Sequence, residues 1–397
     1  MGQIEDLKKA RKARARKRAI RHFIVLIFLF IIIFIFYLLF DKIKDFDIKT
    51  RVNDIMISMG TGPGYPTAIS GREPIKFYQV SGMPAILNDS NNYVYNTKGK
   101  TISNIPHGFN IPVAEAKNGK ILLYDLGGQR LQIHSLSKKI IDLEFDQSII
   151  NADISESGSF AVATSSDNYV GEVSVFNEKG KNVYIWSSAH NVITDISISP
   201  KGDYLAVATI NAQSGDAFSC LYIFKIDTQT YKKIEFKNEY PLSVKFRKNN
   251  EVTFITDKSI KSFTNSGRSI GSYDFSDKIL VNFYDENINT ALVLSEHGKK
   301  SEFIIVQLNN KCEALSEYKL NKEVFDIITD EKGCCIACED STIFIDIGGE
   351  VTDTVDTPWI KKLMVTGDRL YYTTHDEIYK INGVKRNQQQ KGVNSNA

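Results

Sequence analysis

Histidine, cysteine and tryptophan are scarce in this chain, at six, five and two residues of 397. The cysteines are Cys220, Cys312, Cys334, Cys335 and Cys338. One CxxC lies in the stretch GCCIACED, without the second ligand pair that a zinc site takes or the helix N-terminus that a redox pair takes. Its place is an inner strand, where small buried residues pack. Cys220 and Cys312 stand apart, so no disulfide framework is legible. None of the histidines (His22, His107, His134, His190, His297, His375) pairs with another at helical or HxH spacing. No GxSxG elbow, HExxH motif or EF-hand loop occurs. The glycine-rich GTGPGY at residues 60–65 lacks the GK[ST] and following helix of a phosphate loop and reads as a stem hinge. Acidic pairs such as Glu339-Asp340 sit in turns, and no motif sets two acids on a common wall. The sequence therefore assigns no catalytic residue, no metal and no cofactor. From Tyr65 onward it also lacks any amphipathic helix of normal length.

The charge is unevenly spread. Residues 1–22 hold nine Lys and Arg against Glu5 and Asp6, a surplus of seven; the whole chain carries +2, so the remainder carries −5. Residues 23–40 read FIVLIFLFIIIFIFYLLF, with no charge, proline or glycine. As a helix this run spans about 27 Å, enough for a hydrocarbon core. It is too long for a signal-peptide core, and DKIKDFD stands next to it in place of a small-residue cleavage site. The expectation is an uncleaved signal anchor in the cell membrane, with residues 1–22 as a cytoplasmic tail and the large domain outside. The basic tail, with no aromatic among its basic residues, suits anionic lipid rather than nucleic acid. MGQIED does not fit the myristoylation pattern, because position 6 is Asp.

Beyond the stem the chain is repetitive. Residues 153–164 read DISESGSFAVAT, and DISISPKGDYLAVAT begins forty-two residues later at Asp195. Eight short apolar strands begin at Tyr93, Leu131, Val173, Leu221, Ser259, Phe303, Thr342 and Glu377, a mean spacing of about 41 residues. That is the period of a four-stranded propeller blade. Each strand is preceded by a hairpin turn, such as Asn118-Gly119, Ser157-Gly158 or Lys201-Gly202, and YNTKGK, FNEKGK and FTNSGR mark turns after three of them. The expected fold is all-β: an eight-bladed β-propeller, seven if one end unit is irregular. Its domains are a stem at 41–63, the propeller at 64–383 and a polar, disordered tail at 384–397. The last unit supplies three strands, so GYPTAISG at residues 64–71 is expected to pair with EIYKI and close the ring.

The S-P-x-G hairpin of DISISPKGDYLAVAT resembles that of WD-type repeats, although the Trp-Asp dipeptide is missing. A basic tail, one anchor, a stem, GxGYP and then ILLYDLGGQRLQIHS together resemble a family of membrane-anchored propellers from Gram-positive Clostridia-type bacteria, a family of unknown function. That resemblance implies a propeller and transfers no activity.

The loops between second and third strands share a face with the loops between blades. Long ones in adjacent units bring Asp167, Asn168, Tyr169, Asp216 and Phe218 to that face, where His107 and His190 also fall. The resulting expectation is a non-catalytic binding or scaffold module outside the cytoplasm, taking a protein, peptide or envelope glycan and no nucleic acid. Two alternatives stay open. One is a quinoprotein-like dehydrogenase or glycan-cleaving propeller, which calls for convergent acids, a metal or an aromatic stack at the central channel; Trp186 and Trp359 do not make a recurring docking motif. The other is signalling through the basic tail.

Overall fold

The computed structural model describes residues 22–23, 25–31, 33–34, 48–71, 74–213, 215–285, 289–299 and 301–386. Positions described between 22 and 34 are helical and exposed. No helix among the described residues is long and apolar enough to cross a membrane. Most of the expected basic tail and eight of the eighteen positions of the expected anchor lie outside the described residues. A helix, Ile48–Ser58, lies within the stretch read as a stem.

From Thr67 to Asn382 the described chain folds into eight antiparallel four-stranded sheets. Blades 1 to 7 occupy residues 76–106, 112–144, 149–188, 192–237, 241–274, 278–320 and 326–356. Blade 8 takes three strands from residues 362–382, and its fourth is Thr67–Ala68, with Thr67 opposite Ile378 and Ala68 opposite Glu377. The strand left over at the start thus closes the ring, as the sequence predicts. The eight repeated apolar strands are the third strands of the eight blades. First strands neighbour one another around the centre, that of blade 8 meeting that of blade 1.

The strand patterns reflect position in the blade. Second strands such as Met83–Leu87, Phe160–Thr164 and Val252–Thr256 are buried at every residue. Both of their faces meet a neighbouring blade, so they are apolar without alternation. Fourth strands such as Thr101–Pro106 alternate, with one face in solvent. Eight apolar clusters result, each joining two adjacent blades. Each fully buried Leu or Ile in these seams contributes roughly 1.5–3 kcal/mol.

GCCIACED lies on the second strand of blade 7, Gly333–Ala337, as expected for inner packing. Alternate residues of a strand face opposite sides. Cys335 accordingly packs in the seam between blades 7 and 8, and Cys334 and Cys338 in the seam between blades 6 and 7. The two thiols of the CxxC therefore point into different cores and cannot pair. Burial pushes the Cys335 thiol up to about 12 and that of Cys338 to about 11. All five cysteines are free and buried.

Two boundaries differ from expectation. Residues 60–64 are a docked seam and not a hinge. The Gly64 amide donates to Lys98 O at 2.9 Å, and a Cβ on Gly62 would stand 2.2 Å from the same carbonyl. Glycine is needed there for close approach rather than for motion. At the other end, residues 384–386 are packed rather than part of a loose tail. Val384 joins the core between blades 7 and 8, and the Arg386 guanidinium grips both carboxylate oxygens of Asp330.

Candidate functional site

Antiparallel order gives the ring two faces. Loops between blades and loops between second and third strands lie on one, here the loop face. Hairpins joining first to second and third to fourth strands lie on the other, the turn face. The expected binding residues all fall on the loop face. Asp167, Asn168 and Tyr169 are exposed in the loop of blade 3, where Asp167 accepts from Gln147 Nε2 at 2.8 Å. Asp216 and Phe218 belong to a long hairpin of blade 4, whose second and third strands run ten residues each. Asp216 pairs with Lys237 at 2.7 Å, and the Lys237 ammonium lies 5.9 Å from the Phe218 ring centroid. His190 is exposed in the loop between these blades.

His107 is a correction. It is buried, its Nδ1 accepts from the Phe109 amide at 3.1 Å, and its Nε2 lies 3.1 Å from Asn88 O. Burial lowers its pKa. The neutral ring, donating from Nε2, knits the loop between blades 1 and 2 and is unavailable to a ligand.

The loop face has a feature that composition alone does not reveal. Exposed large apolar side chains gather on it: Ile75, Ile111 and Leu126 from blades 1 and 2, Tyr169 and Val170 from blade 3, Val192, Tyr240 and Leu242 at blades 4 and 5, Ile279 at blade 6, and Trp359 before blade 8. Trp359 is 78% exposed and Tyr169 49%. On the turn-face hairpins and strand ends, Ile140, Val183, Tyr231, Ile347 and Val351 are the counterparts among the described residues, half as many.

The central channel differs. Its first strands carry Lys76, Glu115, Asp153, Asp195 and Lys245, so convergent acids do stand on a common wall, contrary to the sequence reading. Asp153 Oδ2 accepts from Ser197 Oγ and the Ile198 amide of blade 4, both at 2.8 Å. Asp195 accepts from Asn151 Nδ2 and from the Val244 amide of blade 5, both at 2.7 Å. Asp326 repeats the device, accepting from the Leu363 amide of blade 8 at 3.0 Å. Each aspartate pins its first strand to the next.

Glu115 and Asp153 lie within hydrogen-bonding reach of each other, and Lys245 Nζ stands 3.4 Å from Glu115 Oε1. Burial and the charge of Glu115 raise Asp153 to about 7. Burial would raise Glu115 too, but Lys245, Lys76 and the hydrogen bond with Asp153 outweigh it and hold Glu115 near 2. The two carboxyls share one proton near neutrality. Glycosidase pairs are about 5–5.5 Å or 6.5–9.5 Å apart; a pair in direct hydrogen bond is closer than either. Among the described residues, no group of three His, Cys, Asp or Glu side chains is placed to hold a metal ion.

No curated protein matches the chain. Among solved structures it is similar to dihydro-heme d1 dehydrogenase NirN in complex with DHE, at 11% identity and TM-score 0.54, covering 79% of this chain and 76% of that one. It is also similar to the β-propeller domain of Cps50 (Swd1) from Myceliophteria thermophila, at 12% identity and TM-score 0.48, covering 80% and 99%. At 11% identity the likeness to the first shows the propeller fold alone. Residues 65–382, from the closing strand to the last strand of blade 8, match the family of unknown function DUF5711, and the chain belongs to that family.

Proposed function

We propose that this protein is a single-pass, membrane-anchored propeller whose domain lies outside the cytoplasm and binds a protein partner through its loop face. The observation that carries the binding reading is the uneven distribution of exposed apolar side chains, which favours the loop face. Scattered apolar residues on a surface need no explanation; a set twice as large on one face of a ring as on the other, and holding its most exposed aromatic, is the composition of an interaction surface. Tyr169, Tyr240 and Trp359 are the residue types that anchor such contacts.

The anchor reading rests on the uncharged run at 23–40 and the basic residues before it. Within the propeller unit, residues 60–64 dock beside the hairpin between third and fourth strands of blade 1, on the turn face.

Charge placed on the rim tests the reading. With Tyr169→Glu and Ile111→Glu together, the native size of the complex extracted from membranes should fall to that of the chain alone. Glu178→Lys with Ile347→Glu, on the turn face, should leave it unchanged. Equal sizes for both variants would contradict a loop-face partner.

A further inference from the structure

On the turn face the channel opens into a cavity of about 280 Å³, walled by first strands and their hairpins from blades 1 to 6. We propose that this cup binds a small, multiply charged oxyanion, a phosphate ester or a polycarboxylate. This inference goes beyond the loop-face reading and does not depend on it.

The walls carry four lysines, Lys76, Lys117, Lys245 and Lys248, against the carboxyls of Glu115, Asp153 and Glu156. The lysines come from three blades, and they converge in a chain whose residues after the basic tail carry a net −5. Lys245 is held by Glu115, and Lys76 Nζ donates to Ala114 O at 2.9 Å. Lys117 and Lys248 have no hydrogen-bond or ion-pair partner among the described residues. Lys117 is half-buried. Converging cations that outnumber the carboxylates of a concave site favour an anion that can accept from several at once. At roughly 30 Å³ per water, the cup holds the volume of about nine waters, enough for a ligand on the order of ten non-hydrogen atoms.

The acid pair couples this site to pH. Asp153 is faced by Glu115 on blade 2, Ser197 on blade 4, Lys245 on blade 5 and, further off, Lys117. While the pair keeps its proton, the wall has an excess of two positive charges; as Asp153 ionises the excess falls to one. Anion affinity should therefore weaken as pH rises through about 7.

Calorimetric titration of the full-length chain in detergent, with inorganic phosphate and separately with citrate, tests this at about 0.15 M salt. One saturable site is expected for at least one probe, tighter at about pH 6 than at pH 8, and the probe that binds assigns the class. Lys117→Gln with Lys248→Gln should weaken it about tenfold or more, while Arg at both positions should keep it within about threefold. Single Lys248→Gln, at an exposed position, should still weaken it measurably if the double variant does not fold. No saturable heat with either probe overturns the proposal. So does a folded Gln variant that binds as well as the parent.

Discussion

Asp153 and Asp195 open the same tripeptide, Asp-Ile-Ser, yet occupy different levels of the channel. Asn151 bonds to Asp195, and Ser197 bonds to Asp153, so the two phrases are offset by two residues across the first strands. Both serve as inter-blade pins, and the offset places Asp153 in addition beside Glu115. Between about pH 4 and 7 the folded state keeps a proton on Asp153 that the unfolded chain releases, so this group's contribution to stability falls as pH rises through that window. Glu115 has the opposite sign: its folded pKa near 2 makes stability rise with pH up to its unfolded value near 4.5. Asp153→Asn keeps an oxygen for Ser197 and the Ile198 amide, gives up the acceptor that the Ile154 amide uses at 2.9 Å, and presents a permanent donor to Glu115. Urea unfolding should show this variant more stable than the parent at about pH 8, by about 1–3 kcal/mol, with a shallower decline from about pH 5 to 8. An unaltered slope would mean that the pair does not share a proton. Repeated Asp-Ile-Ser was legible in the sequence; its two roles were not, because they depend on which residues lie side by side across blades some 40 positions apart. His107 failed for a related reason. Its loop class is readable, but its inward rotation, stacked on Phe109 with ring centroids 5.3 Å apart, is a matter of packing.

At the scale of the element, period and turn chemistry carry most of the blade structure. Alternation identifies third strands, and Gly or Asn at positive φ identifies hairpins: Asn118, Gly158 and Gly202 all adopt it. The closing strand was legible by arithmetic, since a unit one strand short and a strand without a unit must meet. Its value to the ring is measurable. Ile69 is buried in the seam between blades 8 and 1, its amide donates to Asp376 O at 2.7 Å, and Tyr65 meets Tyr371 edge-on at 5.5 Å. Ile69→Ala should cost about 2–4 kcal/mol in chemical unfolding. Ile347→Ala, at an exposed turn, should fall within about 0.5 kcal/mol of the parent. Comparable losses for both would mean that closure is not held by this strand. The docked glycines escaped notice because GTGPGY has the composition of a hinge; only the facing Lys98 carbonyl explains why side chains are excluded there.

At the scale of the whole molecule, the ring separates two chemistries. The loop face presents apolar side chains, and the turn face opens on a charged cup. Neither was apparent from totals, because the ring sorts residues by their position along each blade. First-strand starts, such as Val192 and Leu242, come out on the apolar side, and first-strand ends and their hairpins, such as Lys117 and Lys248, on the charged side. The central claim is that the loop face is the partner's surface. Photocrosslinking in living cells tests it most directly, with the reactive residue at Tyr169 or Tyr240 on the loop face and at Glu178 on the turn face. A discrete protein adduct from the first two positions and none from Glu178 is the predicted result. No adduct from the loop face, or the same adduct from both faces, would contradict it.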